Sequence, residues 1–467
     1  MSMKRVNYVL LIFATLLLVS CDSWLSLSPE DNISESELFE NEEGFKSLLD
    51  GTYVLMAAAP AYGFELMVGF PDEVVRLWQE TSKFYVHDYT DQECKDRLLA
   101  TWSQMYKVIA NDNILIEHLR EESSKELKTY NTLLGEALGI RAYVHLDLLR
   151  LFGPTSLSDG SRKAIPYRKY FDNTIQKIAS VDTVFSCIER DLLEAEKLLK
   201  AVTFDENGNI VKTISRSRMN YFAVCATLAK FYLLKADKEK ARTFAEIVIN
   251  SSPFELAKRE DYVVEESMRD LMFSRELIFA IHNTKMKERV CDKIEKGYVT
   301  VDPVYRDDVY QNTGYGKVDD IRFTYLWRKV SASTSFEILN KYRRVYTDAG
   351  ADVSSKLPYM PLMRLSEMFY IASEAYIGTD NKRALELLNT VRESRRLDML
   401  PDNVTSDTQI LEEIINERRK DLWGEGKMLF TYKRLYRDID IYQGKIPASE
   451  EIFEFPIPDR EYEFGNN

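Results

Sequence analysis

The chain has 467 residues, of which 45% are hydrophobic and 29% are charged, and its formal net charge is −13. This composition is typical of a globular protein with one large core or two to three domains, and it argues against disorder. The negative charge repels phosphate backbones and anionic lipid headgroups, so nucleic-acid binding is not expected.

The first twenty residues have the parts of an export signal. Lys4 and Arg5 form a charged start, an apolar run covers 10–19, and Leu-Val-Ser-Cys at 18–21 fits a lipobox that ends at Cys21. The apolar run is shorter than the roughly 20 residues that a membrane-spanning helix needs. We therefore predict a signal peptide at 1–20 and lipidation of Cys21, which would hold the mature chain at a membrane surface. The alternative is an ordinary cleaved signal followed by a chance cysteine.

Amphipathic helices dominate the rest of the chain, because apolar residues recur there at three- and four-residue spacing. The predicted helices cover 43–56, a segment around 102–114, 127–152, 182–200, 218–235, 238–250, 364–378, 382–394 and 408–423. Gly153 and Pro154 are expected to end the third helix. Stretches near 57–95, 153–180 and 284–362 lack a sustained period, and we predict long loops with functional residues or small strands there.

Two of the predicted helix pairs resemble each other. The matched residues are Ala229, Asp237 and Ala241 in the first pair and Ala372, Asp380 and Ala384 in the second. Small residues at the same offset allow two antiparallel helices to approach closely, as in tetratricopeptide repeats. Chance alanine matches between amphipathic hairpins are the alternative explanation.

The sequence lacks the motifs of common catalytic sites. It contains no Gly-x-x-x-x-Gly-Lys-Ser/Thr phosphate loop, no His-Glu-x-x-His zinc motif and no Gly-x-Ser-x-Gly nucleophile elbow. The histidines His87, His118, His145 and His282 are far apart, so we predict no metal site, no cofactor and no catalytic triad. Carboxylates are too numerous for the sequence to exclude a glycosidase-like pair, which requires a separation of about 5–9 Å.

A series of short motifs runs through the chain from the predicted lipidation site to the C-terminal region. They are Cys21–Leu25 with Ser28–Pro29, Trp102–Tyr106 leading to Asn111–Asn113, Gly135–Tyr143 with Leu149–Pro154, Arg275–Ala280, Arg364–Ala375, Leu388–Arg392, Asn416–Arg419 and Phe455–Pro458. In this order they resemble the SusD-like (RagB/SusD) family of outer-membrane nutrient-binding lipoproteins. One departure is Lys427–Phe430, where the family more usually has R-x-x-D-L, and this leaves the local pairing of that helix open.

The resemblance implies a mainly α fold. A tetratricopeptide-like helix-pair scaffold would carry long loops and a few small strands that form a ligand-binding face, in a single domain over 21–467. It also implies a non-catalytic protein that binds glycans or oligosaccharides and delivers them to a SusC-like TonB-dependent transporter. Such a protein is lipid-anchored in the outer membrane and faces the cell exterior. Alternatives are a binder of peptides or glycopeptides for the same type of transporter, a helical-repeat assembly scaffold, and a surface glycosidase.

Two aromatic-rich loops, 64–89 and 298–327, are the predicted glycan site, because sugar rings bind aromatic faces beside polar groups on open loops. The candidate ligand contacts are Trp78, Tyr85, Tyr310, Tyr315 and Trp327. Polar side chains near them are Asp72, Arg76 and Gln79 in the first loop and Asp307, Asn312 and Arg322 in the second. Core packing is the alternative for each ring. We expect Trp78→Ala or Trp327→Ala to weaken ligand binding by more than about 1 kcal/mol without unfolding the chain.

Overall fold

The structure is a computed structural model of the chain. It describes residues 38–70, 83–84, 87–297, 299–311, 320–344, 358–441 and 444–461. The chain divides into two compact units, residues 1–45 and 46–467. In the described part of the first unit, the rings of Phe39 and Phe45 meet edge to face with centroids 4.8 Å apart. The boundaries of the signal peptide, 1–20, and of a single domain, 21–467, stay predictions.

Helices make up most of the described chain, which confirms the predicted mainly α fold class. The α-helices are α1 (Glu42–Met56), α2 (Gln92–Leu119), α3 (Tyr130–Phe152), α4 (Val181–Thr203), α5 (Tyr221–Leu234), α6 (Lys238–Ser251), α7 (Arg259–Tyr262), α8 (Asp292–Glu295), α9 (Pro303–Gln311), α10 (Ile321–Tyr325), α11 (Leu365–Tyr376), α12 (Asn381–Ser394), α13 (Asp407–Asp421), α14 (Met428–Leu435) and α15 (Glu450–Phe453). Every helix that the sequence predicts is present. Helix α3 ends at Gly153 and Pro154, as predicted.

Short strands lie mainly in the stretches that the sequence predicts to be irregular. They are β1 (Leu277–His282), β2 (Thr300–Val301), β3 (Trp327–Arg328), β4 (Glu337–Leu339), β5 (Tyr359–Arg364), β6 (Ile439–Ile441) and β7 (Gly444–Ile446). β1 pairs with β5, β4 lies between β2 and β3, and β6 pairs with β7, all in antiparallel register. β1 directly follows Arg275–Glu276 of the Arg275–Ala280 motif.

The two matched helix pairs, α5–α6 and α11–α12, begin their second helices in the same way. The carboxylate of Asp237 accepts a hydrogen bond from the backbone N–H of Lys240 at 3.1 Å, and Asp380 accepts one from the N–H of Arg383 at 2.9 Å. An aspartate in this position satisfies a backbone donor that the helix leaves unpaired. The sequence match between the two aspartates therefore marks two equivalent helix starts.

Small residues let the helices of each pair approach closely. Ala229, Ala241, Ala372 and Ala384 are fully buried. Between α11 and α12 the hydroxyl of Ser373 donates to the carbonyl oxygen of Ala384 at 2.7 Å, which is possible only where the backbones are near. The predicted helix pairing is confirmed.

The first pair also stacks on the second through α6 and α11. The hydroxyl of Tyr376 donates to Glu246 at 2.9 Å, and Lys238 Nζ donates to the carbonyl oxygen of Ile377 at 3.2 Å. Successive helix pairs that bury their faces against each other form a repeat scaffold. Within the described residues, no helix is long and apolar enough to cross a membrane.

Candidate functional site

The five predicted ligand contacts fall into two groups. Trp78, Tyr85 and Tyr315 lie outside the described residues. Tyr310 and Trp327 are described, and both are buried, with only 2% and 5% of their surfaces exposed. The expectation that these two rings lie on a loop open to solvent is therefore wrong for this conformation.

Tyr310 and Trp327 have neighbours in the core. The Tyr310 hydroxyl donates to the carbonyl oxygen of Lys420 at 3.3 Å, and its ring meets Phe323 edge to face. The Trp327 indole meets the Trp423 indole nearly at right angles, with centroids 5.0 Å apart. Both rings therefore help to attach the second aromatic-rich loop to the scaffold.

An aromatic cluster holds both ends of the segment that contains Trp78. The rings of Phe70 and Phe84 lie 5.2 Å apart between centroids, and both contact Phe455 from the C-terminal region. The guanidinium of Arg97 lies 4.3 Å from the centroid of the Phe84 ring. Phe70 and Phe84 are nearly fully buried, so the loop begins and ends at a fixed place on the scaffold.

The described stems of both aromatic-rich loops meet at one tight turn, Leu422–Lys427, between α13 and α14. Gly424 and Gly426 adopt positive φ angles of 65° and 64°. A Cβ atom on Gly424 would lie 3.3 Å from Val68 of the first loop and 2.6 Å from Leu339 of β4, which pairs with Trp327 of the second loop. One on Gly426 would lie 1.8 Å from the carbonyl oxygen of Leu66. Glycine is required here both by the backbone and by the close approach of the stems. From the sequence alone, the two glycines of Gly424–Lys427 predict a helix break, and the structure confirms it, since α13 ends at Asp421 and α14 begins at Met428.

A buried ionic network fixes this turn. Lys341 Nζ donates to the carbonyl oxygens of Asp421 and Trp423, at 3.1 and 2.9 Å, and to Glu425 Oε1 at 2.8 Å. Arg364 Nη2 lies 2.9 Å from the same Glu425 oxygen. These side chains are fully buried, and paired charges in such a place restrict the geometry of what they contact. The turn beneath the two loops is thus rigidly positioned.

Arg322 of the second loop belongs to the same network, since its Nη1 lies 3.5 Å from Asp421 Oδ1. Arg322 is fully buried and donates to Asp320 and Glu417 at 2.8 and 2.7 Å. It was expected beside the aromatic rings as an exposed polar partner for a sugar. The structure corrects this expectation, since its charge is neutralised inside the core instead.

A large cavity lies between the start of α2 and the C-terminal segment 451–460. Its volume is about 930 Å³. The Tyr89 hydroxyl donates to the carbonyl oxygen of Ile452 at 3.0 Å at its edge, and a 2.7 Å hydrogen bond joins His87 Nδ1 to the same hydroxyl. Burial lowers the pKa of His87 to about 4, so the ring is neutral at neutral pH. This cavity adjoins the aromatic cluster, and sequence patterns alone gave no sign of it, because its lining comes from segments more than 350 residues apart.

A metal centre is not found in the part of the chain that is described. No group of three or more His, Cys, Asp or Glu side chains there is arranged to hold a metal ion. His145 is fully buried, its Nδ1 lies 2.8 Å from the carbonyl oxygen of Arg141, and its Nε2 accepts from the backbone N–H of Arg168 at 3.1 Å. Both ring nitrogens are thus used for structure.

Family models match nearly all of the chain beyond the predicted leader. Residues 23–233 match a SusD-like model described as "Starch-binding associating with outer membrane", and residues 258–461 match the model of the SusD family. The chain belongs to the SusD family. The residues that carried the sequence resemblance lie within these two ranges, apart from Cys21 and Asp22 at the start.

Relatives of similar length support this membership. SusD-like protein P38 of Formosa agariphila is 22% identical over 94% of this chain and 93% of that protein. SusD-like protein P2 of the same organism is 23% identical over 93% of this chain and 91% of that protein. The similarity therefore extends from end to end and is not confined to one motif.

Solved structures share the fold. A SusD-like carbohydrate binding protein from Bacteroides vulgatus superposes with a TM-score of 0.72 at 19% identity, covering 91% of this chain and 96% of that one. A SusD superfamily protein from Bacteroides thetaiotaomicron gives 0.71 at 21% identity, covering 91% and 98%. These SusD-family folds agree with the helical scaffold described above.

Proposed function

We propose that this SusD-family protein binds glycans or oligosaccharides at the cell surface and delivers them to a SusC-like TonB-dependent transporter. The observation that carries the proposal is the match of SusD models to both halves of the chain, one of them described as starch-binding and associated with the outer membrane. One protein of the same fold is described as carbohydrate binding. The second unit supplies the rigid scaffold that such a binding protein needs.

The proposed ligand face lies where the two aromatic-rich loops leave the Leu422–Lys427 turn. Trp78, Tyr85 and Tyr315 are the proposed direct contacts, since exposed aromatic rings bind the C–H faces of sugars. Trp327 and Tyr310 are proposed to support this face from below, because their rings are buried against Trp423 and Phe323. A site on loops held by a rigid base loses less conformational freedom when it binds a ligand.

The proposed location is the outer membrane, with the protein anchored by lipid on Cys21 and facing the cell exterior. Lipidation and a signal peptide at 1–20 are supported by the charged start, the apolar run and the lipobox-like residues before Cys21. Globomycin, which blocks the lipoprotein signal peptidase, provides a test. We expect the full-length precursor to accumulate, and Cys21→Ser to prevent lipid labelling in untreated cells.

The protein is proposed to be non-catalytic. A binding role is supported by the model described as starch-binding and by a protein of the same fold described as carbohydrate binding. Incubation with each glycan that binds, followed by an assay for new reducing ends, tests this directly. We expect no release above the level of a heat-denatured sample; sustained release would favour the glycosidase alternative.

Delivery to a transporter is tested by isolation of the lipidated protein from its native membrane under mild detergent. We expect a TonB-dependent transporter to co-purify in a defined ratio, and addition of the bound glycan not to release it. A protein that binds glycans but purifies alone would retain the binding proposal and contradict the delivery proposal. Peptide binding without glycan binding would instead favour the peptide alternative.

A further inference from the structure

A second cavity, which no residue of the two aromatic-rich loops lines, lies between the helices of the scaffold. Its volume is about 50 Å³, and it is bounded by α3, α5, α11, α13 and α14. The charged residues that line it are Arg150, Lys230, Glu367, Arg418, Lys427 and Arg434. Five positive side chains and one carboxylate thus surround a small space inside the helical core.

Arg418 is the residue that makes this cavity unusual. It is 8% exposed, and its Nε and Nη1 atoms have no hydrogen-bond partner in the part of the chain that the structure describes. A buried guanidinium with free donors is costly, and such groups are normally paired with a carboxylate, a phosphate or another anion. Arg418 lines the cavity, so an anion there would give its guanidinium the partner that the described residues do not provide.

The other four cations that line the cavity already form ion pairs with carboxylates. Glu367 Oε2 lies 2.9 Å from Lys230 Nζ, and Glu367 Oε1 lies 2.5 Å from Lys427 Nζ. Glu374 takes Arg434 at 2.7 Å. Arg150 pairs with Asp147, and its Nε has no hydrogen-bond partner among the described residues. Lys427 also lies 3.7 Å from Glu425, which Lys341 and Arg364 share. Only one carboxylate, Glu367, lines the cavity beside the five cations, so positive charge is in excess around it.

We infer that this cavity is a binding site for one small inorganic oxyanion, such as sulfate or phosphate, with Arg418 as its principal ligand. The negative charge of the anion would offset the excess of positive charge around it. A cavity of this volume is several times larger than the about 10–15 Å³ that a water molecule needs, so an anion with four oxygens fits. It is too small for a sugar ring, so this site is separate from the proposed glycan face. Planar guanidinium groups are well suited to oxyanions because they donate two parallel hydrogen bonds.

The pKa of the neighbouring Lys230 reflects the same excess of positive charge. Burial, with additional repulsion from Lys427 and Arg150, lowers the pKa of Lys230 to about 7, although Glu367 opposes the change. An anion in the cavity would offset this repulsion. The site links helices α3, α5, α11, α13 and α14, so its occupant would tie the first helix pair to the C-terminal helices.

Isothermal titration of the purified protein with sodium sulfate, at constant ionic strength in chloride buffer free of other oxyanions, tests the inference. We expect one saturable site per chain, and at least about tenfold weaker binding in Arg418→Met, because at least one charge-assisted hydrogen bond is lost. Arg383→Met is the matched control, since Arg383 is an exposed arginine on α12 that pairs with Glu386. Unchanged affinity in Arg418→Met, or no saturable binding of sulfate or phosphate to the wild type, would overturn the inference.

Thermal unfolding gives a second readout that a purely structural arginine would not produce. Without oxyanion, Arg418→Met is expected to unfold at a higher temperature than the wild type, because an unpaired buried charge is removed. At saturating sulfate the order is expected to reverse, since only the wild type gains from the ligand. The same order at both concentrations would contradict the inference.

If Arg418→Met does not fold, Arg434→Gln provides the weakened site. Its affinity for sulfate is expected to be about tenfold lower than that of the wild type, and unchanged affinity would count against the site. Displacement of sulfate by glucuronate would overturn the assignment to an inorganic ion.

Discussion

Arg395 and Asp421 form a two-pronged ion pair in the core, with Nε 2.8 Å from Oδ1 and Nη2 3.1 Å from Oδ2. The same guanidinium donates to both oxygens of Glu276, at 2.6 and 3.0 Å. All three side chains are fully buried. Arg395 follows α12, Asp421 ends α13 and Glu276 precedes β1. Arg395 therefore joins the helix-pair scaffold to the start of β1.

Asp421→Ala is expected to lower the free energy of unfolding by about 3–5 kcal/mol, because it removes one of the two carboxylates that neutralise the buried Arg395 and leaves only Glu276. Although burial opposes it, Arg395 and Arg364 hold the pKa of Asp421 well below its usual range, so the carboxylate is charged in the folded state. Urea unfolding at pH 7 measures the change, with the exposed Asp402→Ala as control. Equal midpoints for the two variants would show that the network does not stabilise the fold.

His145 is expected to make the protein sensitive to mild acid. Burial lowers its pKa to about 3, below the about 6.5 of an unfolded histidine, so between these values only the unfolded chain takes up the proton. The stability that the neutral ring contributes is complete above about pH 6.5 and decreases as the pH falls toward 3. From pH 6.5 to 4.5, His145→Gln should lose about 2 kcal/mol less stability than the wild type. The exposed His282→Gln should follow the wild type, and parallel curves for His145→Gln and wild type would contradict the prediction.

Asp237 and Asp380 are expected to contribute equally as helix starts. Asp237→Ala and Asp380→Ala should each cost about 1 kcal/mol, because each leaves a backbone N–H of the first helical turn without its acceptor. Asparagine at either position keeps an acceptor oxygen and should restore most of the stability. Chemical unfolding of the four variants provides the comparison, and an alanine variant as stable as its asparagine counterpart would contradict the capping role.

Substitution of Trp327 is expected to lower the stability of the fold, and this effect should be larger than any direct effect on ligand binding. Trp327→Ala removes a buried indole from its contact with Trp423, and such a change typically costs about 3–5 kcal/mol. Trp327→Phe keeps a ring in place and should retain most of the stability. A folded and fully stable Trp327→Ala protein with weakened glycan binding would instead support the direct contact that the sequence suggested.

The sequence predicted the helices well because their buried faces recur with a helical period. Helix α14 was not predicted, since the break at Gly424 and Gly426 directly precedes it and the motif there departs from the family pattern. Helix α9 lies within the stretch 284–362, for which the sequence predicts loops. Its residues Tyr305 and Tyr310 are buried by contacts with segments more than one hundred residues away, which a local pattern does not reveal.

The candidate site was harder to predict than the fold. Arg322 marked the second loop as polar and open, but its charge is buried and paired with Asp320 and Glu417. A charged residue in the sequence indicates exposure only when no partner is available, and the partner Glu417 is 95 residues away. The burial of Trp327 is likewise not visible in the local sequence, because its neighbour Trp423 is far away along the chain. The Leu422–Lys427 turn that joins the two loop stems was visible only as a glycine-containing helix break.

Titration calorimetry of the protein with the glycan found by a panel of polysaccharides and oligosaccharides tests the central claim most directly. Wild type, Trp78→Ala and Tyr170→Ala should be compared, because Tyr170 is an exposed aromatic residue on a different loop and leaves the proposed face unchanged. The proposed function predicts binding to one class of glycan, retained by Tyr170→Ala and weakened by more than about 1 kcal/mol in a folded Trp78→Ala protein. Equal affinity in all three proteins would contradict the site, and no binding across a broad panel would contradict glycan capture itself.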